Sequence, residues 1–263
     1  MSQGRAFYEK NMTEQIGDRF QEETKYSPWS LKGHTLDWSR KPEPIKVYKD
    51  PIDMVPLPAV NPEDYPMPLV EALFKRRSKR VYLKEAILPL KDLAFLLWAT
   101  QGVTARYGSQ VLFRTAPSAG ALYPVETYVH ARSVEGLRQG IYHYRVDNFS
   151  LEFIREGDFS EELALAALGQ AMVQKAQVVF LWTAVPERSR WKYRQRAWRY
   201  IYLDAGHICQ NLYLAAEAAD LGCCGIGAFF DDWVNSIIGV DPKEETIVYM
   251  ATVGRPKTQE REV

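Results

Sequence analysis

The chain has no excess of either charge: Lys+Arg and Asp+Glu each number 33 in 263 residues. A protein that neutralises many phosphates carries a basic surplus, so nucleic acid is not an expected partner. Zero net charge also gives copies little mutual repulsion, which is compatible with self-association. Cysteine is scarce: Cys209, Cys223 and Cys224 make an odd set with two adjacent members. That is a poor disulfide framework, and small buried thiols in a reducing, cytoplasmic setting are expected instead. The longest apolar runs, around 93–99 and 178–185, are far too short to span a bilayer, and the N-terminus has no apolar core of a secretory signal, so no membrane association is expected. Also missing are Cys-x-x-Cys, His-Glu-x-x-His, a His-x-Glu with a later Cys-x-x-Cys, a Walker loop and a Gly-x-Ser-x-Gly elbow. No metal site and no protein nucleophile are expected.

What is present divides at about residue 64. Residues 1–64 hold Pro28, Pro42, Pro44, Pro51, Pro56, Pro58 and Pro62, which repeatedly interrupt regular structure. The same stretch carries Trp29, Leu31, Trp38, Ile45, Val47, Tyr48, Met54 and Val55, too apolar for a solvated tail. It is expected to be an extended proline-rich arm lying over the body, residues 65–263, or over a partner subunit. Within the body, apolar spacing predicts helices at 69–74, from Pro89 to before Gly102, at 160–174, at 190–221 and at 231–238. Strands are predicted at 127–131, 176–184 and 246–253, with a hairpin at 141–146 and 150–155. The order lacks regular strand–helix alternation, which points to an α+β fold with a mostly antiparallel or mixed sheet flanked by helices.

Several segments carry residue types suited to a ligand. In RRSKR, Arg76, Arg77 and Arg80 stand within five residues, with the Ser78 hydroxyl between them. Guanidinium forks match phosphate oxygens, although the cluster also fits a solvated helix end. In APSAGALYPVE, Pro117, Ser118, Ala119 and Gly120 are small or turn-forming; they let backbone approach a flat ring, or simply join two elements. LGCCGIGAFFDD holds Gly225, Ile226, Gly227 and Ala228 and begins like a dinucleotide fingerprint. Phe230 stands where its third glycine belongs and a helix precedes it, so a Rossmann site is rejected; close approach to a ligand and a helix cap with a tight turn both fit. VGRP places Arg255 after the final strand.

The helix expected over 190–221 carries the stripe Ala197, Ile201, Ala205, Ile208, Leu212, Ala215 and Ala219. At about 48 Å it exceeds the needs of one compact domain, and a subunit interface is its natural use. Asp204, His207 and Asn211 share one face, and His207 fits a satisfied interface or core histidine better than a base.

In their order and spacing, RRSKR, PSAGALYPVE, the helix text KYRQRAWRYIYLDAGHICQNLYLAAEAADLG running into GIGAFFDD, and VGRP resemble the nitroreductase superfamily. Within it they look like the SagB-type dehydrogenase branch. The resemblance covers about residues 66–257, with ETKYSP near Thr24 as a candidate extension. It implies an intertwined α+β homodimer with non-covalent FMN at the subunit interface. Arg76, Ser78 and Arg80, joined by Arg77, would grip the phosphate and ribityl chain, and Arg255 would add a phosphate contact. Pro117, Ser118, Ala119 and Gly120 of the other subunit would line the isoalloxazine, and the backbone of Gly225, Ile226, Gly227 and Ala228 would approach it near N5.

The branch includes enzymes that oxidise thiazolines or oxazolines in modified peptides, with a Lys-Tyr pair implicated. Lys192 and Tyr193 occupy the matching place, though Arg188, Arg190, Arg194, Arg196 and Arg199 around them also suit a basic exposed face. The chain departs from the branch at Arg194-Gln195, where glycine usually follows soon after the tyrosine. The alternatives are an NAD(P)H-dependent reductase of nitroaromatics or quinones, and a flavin-binding component, inactive alone, of a peptide-modifying complex.

Overall fold

The computed structural model describes residues 15–29, 35–108 and 111–257, so parts of the expected arm, 1–14 and 30–34, lie outside the described residues. The helices are α1 (Ile16–Glu23), α2 (Leu69–Lys75), α3 (Leu90–Gln101), α4 (Ser160–Ala166), α5 (Ala171–Lys175), α6 (Glu187–Tyr193), α7 (Ala197–Ala218) and α8 (Asp231–Ile238). The strands are β1 (Asp53–Pro56), β2 (Val103–Tyr107), β3 (Val111–Arg114), β4 (Val125–Ala131), β5 (Gly140–Arg145), β6 (Ser150–Glu156), β7 (Val178–Ala184), β8 (Gly222–Ile226) and β9 (Thr246–Gly254).

Seven strands form one sheet in the order β1-β6-β5-β4-β7-β9-β8, each neighbouring pair antiparallel. Ser78 bridges Cys223 of β8 in parallel, which makes that edge mixed. The central strands β4 and β7 are buried along their whole length, so both faces must be covered. Strand periodicity divides β7 cleanly: Val178, Phe180 and Trp182 join one core with Leu93 and Leu97 of α3 and Ile208 and Leu212 of α7. Val179 and Leu181 join the other with Leu163 of α4, Val173 of α5 and Val234 and Ile238 of α8. The result is the expected α+β architecture, a sheet with helices on both sides.

Four sequence expectations need correction. The helix expected over 160–174 is two: Leu168 and Gly169 take left-handed φ of 59° and 73°, and their amides close onto Leu165 and Ala164. That reversal, with glycine in its last position, satisfies carbonyls a continuous helix would have used. The helix expected over 190–221 is also interrupted, at Arg194, and stops at Ala218, where Asp220 turns left-handed and Leu221 bonds back to Ala216. The stripe of small residues on α7 faces the protomer's own core: Ala197, Ile201, Ala205, Ile208, Leu212 and Ala215 are buried there. Tyr202, Leu203, Gly206 and His207 face outward instead, so His207 is no core histidine. Finally, the glycine segment after the helix is a strand, β8, and β1 and the β2–β3 hairpin went unpredicted.

The segment expected as an arm is stitched to the body. Its β1 pairs with β6, and Leu57 enters the core. Lys46 and Tyr48 cover a polar row that crosses β4, β5 and β6, in which Glu126, His143 and Glu152 are each almost fully buried. His143 meets Glu152 at 2.7 Å and Glu126 at 3.2 Å; Arg188 pairs with Glu126, and Arg145 with Glu152. Burial alone would push the His143 imidazole down, but hydrogen bonds and charge from both carboxylates outweigh it and leave the value raised above 6.5. The stabilisation that follows is therefore complete below pH 6.5 and is lost as pH rises through the raised value. Melting curves of wild type and His143→Gln should differ most below that pH and converge above it. The difference should be about 1.4 kcal/mol for each tenfold by which folding strengthens proton binding at the imidazole. A pH-independent difference would contradict the assignment.

Candidate functional site

The residues singled out in the sequence gather into two groups, both hung from α7. At its C-terminal half, Arg76 caps α2 and residues 77–80 run on beside the sheet edge: Ser78 bridges Cys223, and the Lys79 amide donates to the Cys223 carbonyl at 3.0 Å. Tyr213 joins this segment to β8, its hydroxyl accepting from the Gly225 amide at 2.7 Å and lying 3.1 Å from Ser78 Oγ. The Arg76 guanidinium lies 5.4 Å above the Tyr213 ring, and Glu217 anchors the Lys79 ammonium at 2.8 Å. Residues 255–257 pack alongside, with Leu83 N donating to Arg255 O and Pro256 bridging Tyr82. A cleft of ≈ 970 Å³ opens here, lined by Phe74, Arg77, Ser78, Arg80, Pro256 and Lys257 among others.

The charge balance of this cleft is uneven. Lys79 has its carboxylate, whereas among the described residues Arg76, Arg77, Arg80 and Arg255 form no salt bridge. Arg77 and Arg80 spend donors only on nearby carbonyls, of Phe74, Arg76 and Ser78. Arg77 and Arg80 line the cleft with Lys75, Lys79 and Lys257 against Glu217 and Asp220, a cationic surplus whose guanidinium groups fit a multiply charged anion. Gly225, Ile226, Gly227 and Ala228 lead away from Tyr213. A side chain at Gly225 would collide with Tyr249 Oη at 2.6 Å, so that glycine serves internal packing. The Ile226 side chain is buried in the core, while Gly227 and Ala228 are exposed, and a Cβ at Gly227 would meet nothing within 4 Å. Close backbone approach by a ligand is thus open at 227–228.

The second group lies at the N-terminal end of α7. Ser118 Oγ donates to Asp204 Oδ2 at 2.6 Å and accepts from the Tyr123 amide at 3.0 Å, while the Ala119 amide also reaches Asp204. Burial holds the Asp204 carboxyl above its ordinary value, against these bonds. The tether carries Gly120, at φ 65°, directly against the Lys-Tyr pair: a Cβ there would fall 2.5 Å from Tyr193 Oη and 2.9 Å from Lys192 Nζ. Two segments more than seventy residues apart in sequence, 117–120 and 192–193, are thereby brought together. The Tyr193 phenol is raised by burial, then by Tyr200 and Asp204, and stays protonated at neutral pH. Helix α6 ends on this pair because Arg194 takes φ 52° and ψ −138°, a conformation suited to glycine. The strained residue belongs to the Arg194-Gln195 pair, where the resembled branch usually shows glycine soon after the tyrosine.

Sequence reasoning missed Tyr213 and the role of Asp204. Asp204 had a usable signal: it falls in the buried stripe with Ile201, Ala205 and Ile208, where a carboxylate needs a dedicated donor. Tyr213 had none, because its partners come from segments 135 and 12 residues away. The three cysteines are free and buried; burial raises Cys209 to about 12, so it remains a thiol. Among the described residues no cluster of metal-ligating side chains occurs, and no helix is long and apolar enough to cross a membrane.

Sheet, helices and two clusters together define a nitroreductase-like α+β protein. The chain belongs to the Nitroreductase family, whose model matches residues 73–255. A protein of Methanocaldococcus jannaschii described as a nitroreductase is 40% identical over 187 residues, 71% of this chain and 90% of the relative. The trifolitoxin-processing protein TfxB of Rhizobium leguminosarum bv. trifolii is 30% identical over 149 residues, 55% of this chain and 40% of TfxB. A nitroreductase crystal structure from Anabaena variabilis superposes with a TM-score of 0.74 at 31% identity, over 90% of this chain and 46% of that one. A Desulfovibrio desulfuricans structure in complex with FMN shares the fold, with a TM-score of 0.51 at 19% identity over 75% and 93% of the two chains. The chain therefore spans most of the archaeal relative but less than half of TfxB and of the Anabaena protein.

Tyr213→Phe should cost about 1–2 kcal/mol, because the Gly225 amide loses its acceptor. Chemical denaturation checks this, and unchanged stability would mean that Tyr213 does not join the segment 76–80 to β8.

Proposed function

We propose that the chain is an FMN-dependent oxidoreductase acting as a homodimer, a SagB-type dehydrogenase on an azoline-type or related ring in a small molecule or modified peptide. The observation that carries this reading is the set of guanidinium groups outside any salt bridge on the segment that Tyr213 joins to β8, two residues before the open backbone at Gly227. The donor set suits FMN: Arg76, Arg77, Ser78, Arg80 and Arg255 would hold the phosphate and ribityl chain, and Gly227 with Ala228 would lie against the ring. Gly225 and Ile226 would shape that backbone from inside.

The second group, Pro117, Ser118, Ala119 and Gly120 with Lys192 and Tyr193, would face the flavin of the other subunit. Asp204 and Tyr213 stand nine residues apart on α7, about 13 Å along its axis and about half a turn round it. One protomer's two groups thus lie on opposite sides of a helix, which supports a site completed by a second copy. Exposed apolar side chains are available for that contact: Leu69, Val70, Leu73 and Phe74 on α2, and Tyr202 and Leu203 on α7.

Bound FMN supplies a hydride acceptor at N5. Oxidation of an azoline also needs a carbon-bound proton removed. Tyr193 keeps its proton, so Lys192 Nζ would act as the base. Gly120, having no side chain, lets Lys192 Nζ and Tyr193 Oη pack directly against its backbone. A second reading, an NAD(P)H-dependent nitro or quinone reductase, is favoured by the archaeal relative's name over 90% of its length. A third, a flavin-binding component of a peptide-modifying complex, draws on the name of TfxB.

Purified protein should be yellow and release FMN on denaturation. Arg80→Ala should weaken FMN binding about tenfold in a fluorescence titration, and undiminished affinity would remove Arg80 from the phosphate grip. With an azoline peptide, Lys192→Ala should abolish oxidation yet keep FMN bound. Anaerobic bleaching by NADPH instead of by the peptide would favour the reductase.

A further inference from the structure

The Lys-Tyr pair sits at the end of a short helix, and that end is gripped by the N-terminal segment at several points. Arg196 donates to the Thr24 carbonyl at 2.8 Å and to Tyr200 Oη at 3.0 Å. Its guanidinium lies 4.5 Å over the Tyr26 ring and 5.7 Å over the Tyr200 ring. Tyr26 is hydrogen-bonded to Tyr200, whose ring meets that of Tyr193 edge-on at 4.8 Å. Arg199 donates to Thr24 Oγ1 at 2.7 Å and to the Gln21 carbonyl. Further along the same arm, Trp38 packs on Trp191 at 5.3 Å, and Arg188 donates to the Glu43 carbonyl at 2.9 Å. Both ends of α6 are thus tied to residues 21–26 and 38–43.

These ties surround a strained position. Arg194 follows the pair at once, in a backbone conformation that side chains rarely adopt. Such strain persists only where the surroundings over-determine it. The bonds from Arg196 and Arg199 to the N-terminal segment fix the two turns that follow Arg194, and the Trp38 and Glu43 contacts fix the helix that precedes it.

We propose that the N-terminal segment is a clasp for helix α6, and that Tyr26 and Arg196 are positioning residues that set Lys192 and Tyr193 against Gly120. This rests on the proposed role of Lys192 and Tyr193, but its test does not. The full-length, FMN-loaded protein would be acetylated with an N-hydroxysuccinimide ester and the rate at each lysine read by mass spectrometry. Tyr26→Ala should change the Lys192 rate by about fivefold, the effect of losing the ring under Arg196. Lys91, paired with Asp64 on the surface, should keep its rate. Tyr26→Phe, which retains the ring under Arg196, should restore most of the effect. Adding Arg194→Gly to Tyr26→Ala should do the same by removing the strain. An unchanged Lys192 rate in Tyr26→Ala, or an equal change at Lys91, would overturn the clasp. Full azoline oxidation by Lys192→Ala would instead overturn the catalytic reading and leave the clasp standing.

Discussion

Helix α7 is the part on which the other features depend. Its inner stripe of Ala197, Ile201, Ala205, Ile208 and Leu212 is buried, the last three in one core with α3 and the sheet, which fixes its rotation and height. Side chains projecting from that fixed rod then place everything of chemical interest. Asp204 holds the loop with Ser118, Tyr213 holds Ser78 and Gly225 together, and Glu217 holds Lys79. A buried carboxylate and a half-buried phenol on a helix are costly unless satisfied, so these three contacts both stabilise and orient. The two clusters are set apart by the same rod, which is why a second protomer enters the proposed function.

Much of the fold was legible because it rests on periodicity. The central strands read as continuous apolar runs, the α3 pattern stops at Gly102, and the hairpin turns at Asp147-Asn148. The errors fall where local pattern is silent. Nothing in SEELALAALGQAMVQ marks Leu168 as left-handed, and nothing in KYRQRAW marks Arg194. Strand β8 is short and glycine-containing, and it exists through its pairing with β9, a long-range fact. The core-facing charges Glu126, His143 and Glu152 disturb strand alternation for the same reason, since their partners lie on neighbouring strands and in α6.

The candidate site was legible as a set of pieces and not as a geometry. RRSKR and PSAGALYPVE are identifiable by composition and by resemblance, yet neither says that Ser78 lies beside Gly225 or that Gly120 touches Tyr193. The arm was the least legible part. Proline and scattered aromatics suggest a segment that lies over something, and the structure gives Trp38, Glu43, Lys46 and Tyr48 specific seats on the body. The departure at Arg194-Gln195 acquires a physical meaning: a strained turn between the Lys-Tyr pair and the helix that carries Asp204.

In the proposed enzyme, one FMN is held by the arginine cluster of one chain and the 117–120 loop of another. Complementation measures this directly. A chain carrying Arg76→Ala and Arg80→Ala and a chain carrying Pro117→Trp would be co-expressed with different tags, and the mixed dimer isolated. Each parent should lose FMN on gel filtration. The mixed dimer, with one intact pairing of arginine cluster and loop, should retain flavin at half the wild-type stoichiometry. A mixed dimer as empty as its parents, or a single chain that retains FMN in full, would contradict the shared site.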